Sequence, residues 1–517
     1  MVDYKSIKKF HEIFQKSKII NIFQTPYIKR AYDFIFKGLA LKLKGKKGVD
    51  MRKIIVLMYA GTLLASGFQL SGTGARELQL GGSDIVNTSM WTAPFWNPAL
   101  MANSDGNQIG LSLNTIGLQG MYVMNTGLLG YDGGYRLQDT VISKRNILPV
   151  PGFGLVRDMG EGLKLGFMEF TPFGLGGKWN LYKFPMGYYN TQDTTFEVPE
   201  FPEDNWQSDL KTYALYASFA YRITEKLKIG ISGGPLLGSV KLSKVTFVDP
   251  ATFDSAAEAL PIQYRLLPVT MDIDASAMGY GANLGLAYNI TKCLSAGLVF
   301  RYYSTLDFSG DAAVSLYLPK NDAIAQRLDS ASQYLMSGQV MESQGTVEAP
   351  FNLPYEMVIG LGYKKAKLGI YTSFTYIKWS KFDNIAASFD SVNILGNPIT
   401  EDTIKENFKD AYKFALGIEY AFTPLMDARI GFYYDQTPAP DETFTPLIPD
   451  INNKIGINFG IGRKISDNLK ILAGGEYVYT GERNVERHSD YSYESDNMPG
   501  TYKLNVMAGN ISIVYSF

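Results

Sequence analysis

The sequence predicts an all-β fold, a fourteen-stranded antiparallel transmembrane β-barrel with an N-terminal hatch plugging the lumen. Three observations predict it. Large apolar residues alternate with small or polar ones in run after run, tight turns alternate with long polar connections, and an export pattern stands ahead of both. Composition agrees: among 517 residues are 34 Tyr, 30 Phe and 51 Gly, with a formal net charge of −1. Abundant aromatics and glycine with moderate polarity suit barrels that sit in lipid. A near-neutral chain has no field to draw nucleic acid.

The export pattern begins at Met51, in MRKIIVLMYAGTLLASGFQL. Arg52 and Lys53 give a charged start, Ile54 to Ala65 an apolar run, and Ala65-Ser66-Gly67 a small-residue exit. Residues 51–66 thus read as a secretory signal peptide, its core too short to span a bilayer. A signal peptide is rarely internal, so residues 1–50 read either as a gene-model extension or as a basic leader. A second cleavage point at Thr73-Gly74-Ala75 ranks lower, because it removes Gly67 to Leu70. After Leu70 no run of about 18 apolar residues occurs, so transmembrane helices are not expected. An exported, strand-rich chain then belongs in the periplasm or the cell outer membrane.

Residues 67–106 come next. Their stretch MWTAPFWNPALMA, Met90 to Ala102, is rich in bulky apolar residues, yet Pro94 and Pro98 interrupt any long helix or central strand. Irregular backbone at membrane depth is tolerated only inside protein or beside a cavity. About eight strands already give a filled barrel interior, so fourteen leave a lumen to occupy. The segment is expected to plug it, with Trp91, Phe95 and Trp96 as packing knobs.

The barrel spans 107–517. In Tyr412, Phe414, Leu416, Ile418, Tyr420 and Phe422 every second residue is large and apolar, and Tyr213 to Tyr221 and Ile455 to Ile461 repeat the pattern. A sandwich would alternate too, but here aromatics bracket the apolar faces, as interfacial girdles do. Strands are expected to begin near Gln108, Gly152, Leu163, Lys211, Lys228, Asp272, Leu294, Val347, Lys367, Tyr412, Asp427, Lys454, Leu469 and Tyr502. Turns at Thr224-Glu225-Lys226, Thr423-Pro424-Leu425 and Ser466-Asp467-Asn468 alternate with long connections, among them 193–209, 248–268, 312–345, 383–410 and 483–499. Short periplasmic turns and long external loops are the outer-membrane arrangement. Ala323 to Met336 reads as a helix decorating one such loop. The chain ends on Ile511, Ile513, Tyr515 and Phe517, a spacing that resembles the signal read by the barrel-assembly machinery.

Little in the sequence supports chemistry. His11 and His488 have no partner at a motif spacing, so a Ser-His-Asp hydrolase or a histidine-held metal site is not expected. Cys293 alone excludes a disulfide framework, and is expected as a small apolar strand residue. No cofactor is implied. A lipase or acyltransferase is the enzyme alternative, and the scarcity of histidines opposes it.

The stretch GFQLSGTGARELQLGGSDIVNTSMWTAPFWNPALMA resembles the hatch of the long-chain fatty acid outer-membrane transporter family, the FadL/OMPP1/TodX-type hydrophobic-compound channels. The matching points are Gly67 to Leu70, Gly74 to Arg76 and Asn97-Pro98-Ala99. TPFGL at 171–175, NLPYEMVIGLGY at 352–363, YIKWSKFDNI at 376–385 and IGFYYDQTPAPDETFTPLIPDINN at 430–453 extend the likeness to nearly all of the chain after the signal. The resemblance implies passive, hatch-gated uptake of long-chain fatty acids or other hydrophobic compounds, aromatic hydrocarbons included. It also implies lateral release where the third strand kinks. Here that kink is expected at Pro172, Gly174, Gly176 and Gly177, with an ordinary strand exit as the alternative.

Phe68, Leu70, Trp91, Phe95 and Trp96 become candidate ligand contacts or plain plug packing, and Asn97, Pro98 and Ala99 the hatch motif, with Asn97 fixing its turn. Arg301, Lys413, Glu419, Arg429 and Glu476 are expected to face the lumen, either as a carboxylate site or gate or as pairs across the interior. Met186, Tyr188 and Tyr189 are candidates for an outer entry groove. Implied partners are hydrophobic small molecules, outer-membrane lipids and, through Phe517, the assembly machinery, with the chain a monomer. A general diffusion porin, or a barrel adaptor of a protein secretion system, are the competing readings.

Overall fold

A computed structural model describes residues 67–103, 106–124, 140–181, 202–260, 267–448, 450–486 and 497–517. The signal segment, residues 1–50, His488 and the Met186–Tyr189 groove lie outside these. So do parts of the long connections.

Fourteen antiparallel strands close on themselves, each paired with its sequence neighbour. They are β1 (Gln108–Met124), β2 (Asn146–Gly160, with a short piece Val141–Ile142 before it), β3 (Leu163–Phe170 and Gly174–Trp179), β4 (Trp206–Arg222) and β5 (Leu227–Val248). Then follow β6 (Leu267–Asn289), β7 (Leu294–Tyr303 and Leu306–Tyr317), β8 (Val340–Phe351 and Glu356–Lys365) and β9 (Leu368–Ile377 and Asn384–Asp390). The circuit ends with β10 (Glu401–Lys405 and Ala411–Thr423), β11 (Met426–Asp435), β12 (Lys454–Lys464), β13 (Leu469–Val485) and β14 (Gly500–Ser516). Closure is continuous from Gln108 opposite Ser516 to Met124 opposite Gly500. Closing removes the unpaired edges that lipid cannot solvate.

Alternation turns outward as expected. Phe414, Leu416, Ile418, Phe432, Ile457 and Phe459 are exposed, whereas inward Ala415, Tyr433 and Asn458 are buried. Among the described residues no helix is long and apolar enough to cross a membrane. The tight turns cluster at the end of the barrel that holds Gly106 and Phe517. Three of them are built alike: the hydroxyls of Thr224, Thr291 and Thr423 each accept backbone N–H groups two and three residues on.

Four details differ from the sequence reading. Cys293 sits in the turn before β7, half-buried, and not in a strand. β2 starts at Asn146 and runs through Pro149 and Pro151, six residues before the expected start near Gly152. The 323–336 segment is not one helix but a short helix Asp322–Ala325 and a 3-10 turn Gln333–Met336. The Asp329 carboxylate accepts the N–H groups of Ala331 and Ser332 and turns the chain between them. Parts of the connections 248–268, 312–345 and 383–410 are strand, so the wall continues well past the apolar band.

Candidate functional site

Residues 67–103 lie within the barrel and touch nearly every strand. Helix α1 (Ala75–Gln79) is buried along its whole length. Arg76 forms a two-bonded pair with Glu419 of β10, Nε to Oε1 3.2 Å and Nη2 to Oε2 2.9 Å, and a second ion pair with Asp84 at 2.9 Å. Arg429 of β11 also holds Glu419, at 2.8 Å, and donates to Gln79 Oε1 at 3.1 Å. Three strands further round the wall, Ala75 N–H donates to Ser512 Oγ and Gln79 Nε2 to Asn510 Oδ1, both on β14. Paired in this way, the buried charges are tolerable, and together they fix the helix in one place.

Helix α2 (Ala93–Trp96) carries two of the predicted knobs. Asn97 ends it, with Nδ2 donating to Ile85 O at 2.9 Å and to Leu286 O of β6 at 3.1 Å, and Oδ1 accepting Ala99 N–H. Arg301 of β7 lies over the Phe95 ring, 4.7 Å from its centroid. It donates to the carbonyls of Phe95 and Trp96 and pairs with Glu356 at 2.7 Å.

The wall makes room for this segment with facing glycines. Gly110 opposes Gly154, Gly230 opposes Gly285, Gly297 opposes Gly360, Gly417 opposes Gly431 and Gly460 opposes Gly474. A Cβ at any of them would meet the segment: Trp91 at the first pair, Asn97, Pro98 and Ala99 at the second, Ile85 at the third, Leu80 at the fourth and Gln79 at the fifth. The barrel wall is therefore bare in a belt at the height of the plug.

The leading residues do something different. Phe68 is fully buried in an aromatic cluster, with ring centroids 4.9 Å from Trp379, 5.0 Å from Phe382 and 5.8 Å from Phe173. Gly67 has φ 60°, and a Cβ there would sit 2.6 Å from the Trp379 ring, so only glycine fits. Its N–H donates to Asp450 Oδ2 at 2.9 Å. Asp450 is itself buried, paired with Lys454 and bonded by Thr437 Oγ1.

The third strand is interrupted at Thr171-Pro172-Phe173 and then resumes. Opposite β4 it carries one residue more than its partner between the pairs Phe170–Ala214 and Gly174–Lys211, which bends it. Leu70 N–H donates to Pro172 O, and Gly174 N–H to Phe68 O, each at 2.9 Å. The bend thus meets the leading residues inside the barrel. Gly174 and Gly176 lie in the resumed part, a Cβ on the latter meeting Asn146 of β2. Gly177 follows, next to Trp179.

Two cavities flank the aromatic cluster. One is lined by Gln69, Leu70, Ser71, Phe95, Trp96, Arg301, Glu356, Lys413 and Asp435. The other, towards the long-loop end, is an almost wholly apolar chamber lined by Val240, Met271, Phe308, Val347, Phe351, Ile385, Phe389 and Leu447, its two charges being the ion pair Lys244–Asp402.

Of the predicted ligand contacts, Leu70, Phe95 and Trp96 line the first cavity. Phe68 stands in the cluster between the cavities, and Trp91 packs on the β1–β2 wall, apart from both. Of the predicted lumen charges, Arg301, Glu419 and Arg429 pair as described. Glu476 accepts from the Tyr433 hydroxyl at 2.6 Å, and Lys413 lies over the Tyr433 ring at 4.3 Å from its centroid.

The sequence reading missed the chamber residues and the Trp379–Phe382–Phe408 cluster. A signal existed: inward positions in the outer parts of β5 to β9 are bulky and apolar where a water-filled lumen would carry polar residues.

A family model described as "Outer membrane protein transport protein (OMPP1/FadL/TodX)" matches residues 56–517. The chain belongs to that family. It is similar to a long-chain fatty acid transport protein of Escherichia coli O6:H1, 26% identical over 312 residues, covering 58% of this chain and 66% of the relative. Among solved structures it is similar to a Pseudomonas aeruginosa FadL homologue (TM-score 0.65, 16% identity, 87% of this chain and 100% of that one). The P. putida toluene transporter TodX is also similar (TM-score 0.63, 16% identity, 86% of this chain and 99% of that one). The match spans just under two thirds of the E. coli relative's length. At such identities the structural likeness speaks for the fold, which is that of an outer-membrane barrel. The family is one of transport channels.

Proposed function

We propose that the protein is an outer-membrane channel through which long-chain fatty acids or other hydrophobic compounds, aromatic hydrocarbons among them, diffuse passively under control of the hatch. The observation that carries this reading is the position of Phe68 to Leu70. Phe68 stands in the aromatic cluster between an apolar chamber and a more polar cavity, Gln69 and Leu70 line the latter, and Phe68 and Leu70 hydrogen-bond to the interrupted third strand. A lipophile gains about 0.8 kcal/mol per methylene on leaving water, and the apolar lining of the chamber suits one. Displacing Phe68 from its aromatic cluster joins the two cavities and frees Pro172 O and Gly174 N–H at the wall. The ligand then leaves sideways into the bilayer. The names of the E. coli and P. putida relatives, for fatty acid and toluene transport, support the ligand class.

The reading includes cleavage after Ser66, which makes Gly67 the first residue of the mature chain. Its α-ammonium then lies against the Asp450 carboxylate and strengthens the contact now made by an amide. Residues 67–106 serve as hatch and 107–517 as barrel. No catalytic step or cofactor is invoked. Outer-membrane lipids, the assembly machinery acting through Phe517, and a monomeric state complete the proposal. A diffusion porin is disfavoured by a lumen crossed by packed protein.

The test is mass spectrometry of lipophiles extracted from purified protein, with and without residues 67–103. Bound lipophile is expected in the intact form, with loss of it or raised leakiness in the deletion. Equal content in both would overturn the hatch role, and a large ohmic current from the intact protein would favour the porin.

A further inference from the structure

The interruption in the third strand has a counterpart on the strand beside it. β2 reads NILPVPGF from Asn146 to Phe153, with prolines two residues apart. The register decides which way their backbones point. Asn107 exchanges hydrogen bonds with Phe517, at the β14 side, while Gly120 O accepts from Ser143 N–H, at the β2 side. Even-numbered residues of β1 therefore face β2. They pair with even-numbered residues of β2, as in Ser112 with Gly152 and Asn114 with Val150. The odd-numbered residues of β2 must then aim their backbone groups at β3.

The ladder between β2 and β3 obeys this, with Arg157, Leu155 and Phe153 opposite Leu165, Phe167 and Glu169. It stops at Phe153–Glu169. One register step further would put Pro151 opposite Thr171, and the next would put Pro149 opposite Phe173. Neither proline has an N–H to give. The residues that break out of the third strand are the ones that face these two missing donors. Phe173 turns to β4 instead, where its N–H and O both bond to the Thr212 hydroxyl and its O also accepts Thr212 N–H.

We infer that Pro149 and Pro151 are positioning residues that keep the β2–β3 seam unzipped, so that only the leading residues Phe68 to Leu70 can close it. The inference rests on the lateral-release reading for its purpose, but its geometry stands independently. With β2 unable to donate there, Pro172 O takes its hydrogen bond from Leu70 N–H, and Gly174 N–H gives its own to Phe68 O, so both partners come from the strand supplied from inside. Withdrawal of that strand leaves a gap that the wall cannot heal by itself. The place suits an exit. Thr171 to Gly174 lie level with Thr212 and Tyr213 of β4, and Tyr213 is the upper aromatic of that strand's lipid-facing row. One further bond, Lys144 N–H to Lys178 O at 2.9 Å, closes the seam above, so the gap has both a floor and a lintel.

The experiment restores the donors. Full-length protein carrying Pro149→Val and Pro151→Val is purified beside the native chain and placed in lipid bilayers. Amide hydrogen exchange is followed across residues 171–174, and transfer of a pyrene-labelled fatty acid from protein to bilayer is timed. Slower exchange with severalfold slower transfer supports both the inference and lateral release. Slower exchange with unchanged transfer supports the blocked seam and overturns lateral release. Unchanged exchange overturns the inference, whatever the transfer rate. Pro151→Val alone restores the one donor opposite Thr171 and is expected to give a smaller effect in the same direction, which keeps the test decisive if the double variant folds poorly.

Discussion

Replacing Phe68 with alanine tests whether one ring holds the gate shut. The side chain is fully buried and touches three aromatic rings. Truncating a buried phenylalanine typically costs about 3–5 kcal/mol. Most of this cost falls on docking of the leading residues, because the Trp379, Phe382 and Phe173 rings remain seated on the wall without them. At 1.4 kcal/mol per tenfold, the undocked population rises roughly a hundredfold or more. The assay is thiol labelling at Leu70→Cys, in the native and Phe68→Ala backgrounds, with a reagent that enters from the lumen. The native form is expected to label slowly and the variant at least tenfold faster, on the same estimate. Equal labelling rates would refute the claim that Phe68 anchors the segment. Trp91→Ala serves as a comparison: it packs on β1 and β2, away from the gate, and should leave labelling at position 70 unchanged.

Three other perturbations follow from the same geometry. Asp450→Asn leaves buried Lys454 without its charge partner and weakens the acceptor for Gly67; about 3–5 kcal/mol of local destabilisation is expected, read as faster hydrogen exchange across residues 67–70. Gly460→Val drives a methyl-bearing carbon into Gln79, and is expected to unseat helix α1 and give measurable conductance in a planar bilayer where the native protein gives little. Burial raises the carboxyl of Glu406, in the connection within β10, well above its ordinary range. The folded form therefore holds a proton that the unfolded form releases, so the connection loses stability as pH rises from the unfolded value towards the folded one. Limited proteolysis of this connection should be faster at pH 8 than at pH 5, and Glu406→Gln should remove the difference.

Alternation was enough to read the wall, because each strand must show one face to lipid and one to protein. Phe414 and Ile457 could hardly have pointed elsewhere. The hatch was legible for a related reason: Trp91, Phe95 and Trp96 in a proline-broken segment need an interior. What sequence could not supply was depth and partnership. Nothing local tells Arg76 that its carboxylate lies on β10, or Gly67 that Asp450 waits across the barrel. β2 begins earlier than the expected Gly152 and runs through Pro149 and Pro151, although a central strand needs its donors. The ladder to β3 stops at Phe153, so on that side the two prolines have no ladder bond to give. The interruption in β3 could be suspected from Pro172 and Gly174, but its inward partner, Phe68 to Leu70, lies about a hundred residues earlier in the chain.

The belt of facing glycines bears on how the molecule is put together. A wall stripped of side chains at one height gains little by closing around nothing there, since five pairs of strands would enclose a void. The same height becomes densely filled once α1 and α2 are present, and β14, the last strand made, takes two of their hydrogen bonds through Ser512 and Asn510. The stopper is thus part of the packed interior at that height, as integral to the cylinder as its strands, and not a loose insert in a finished tube.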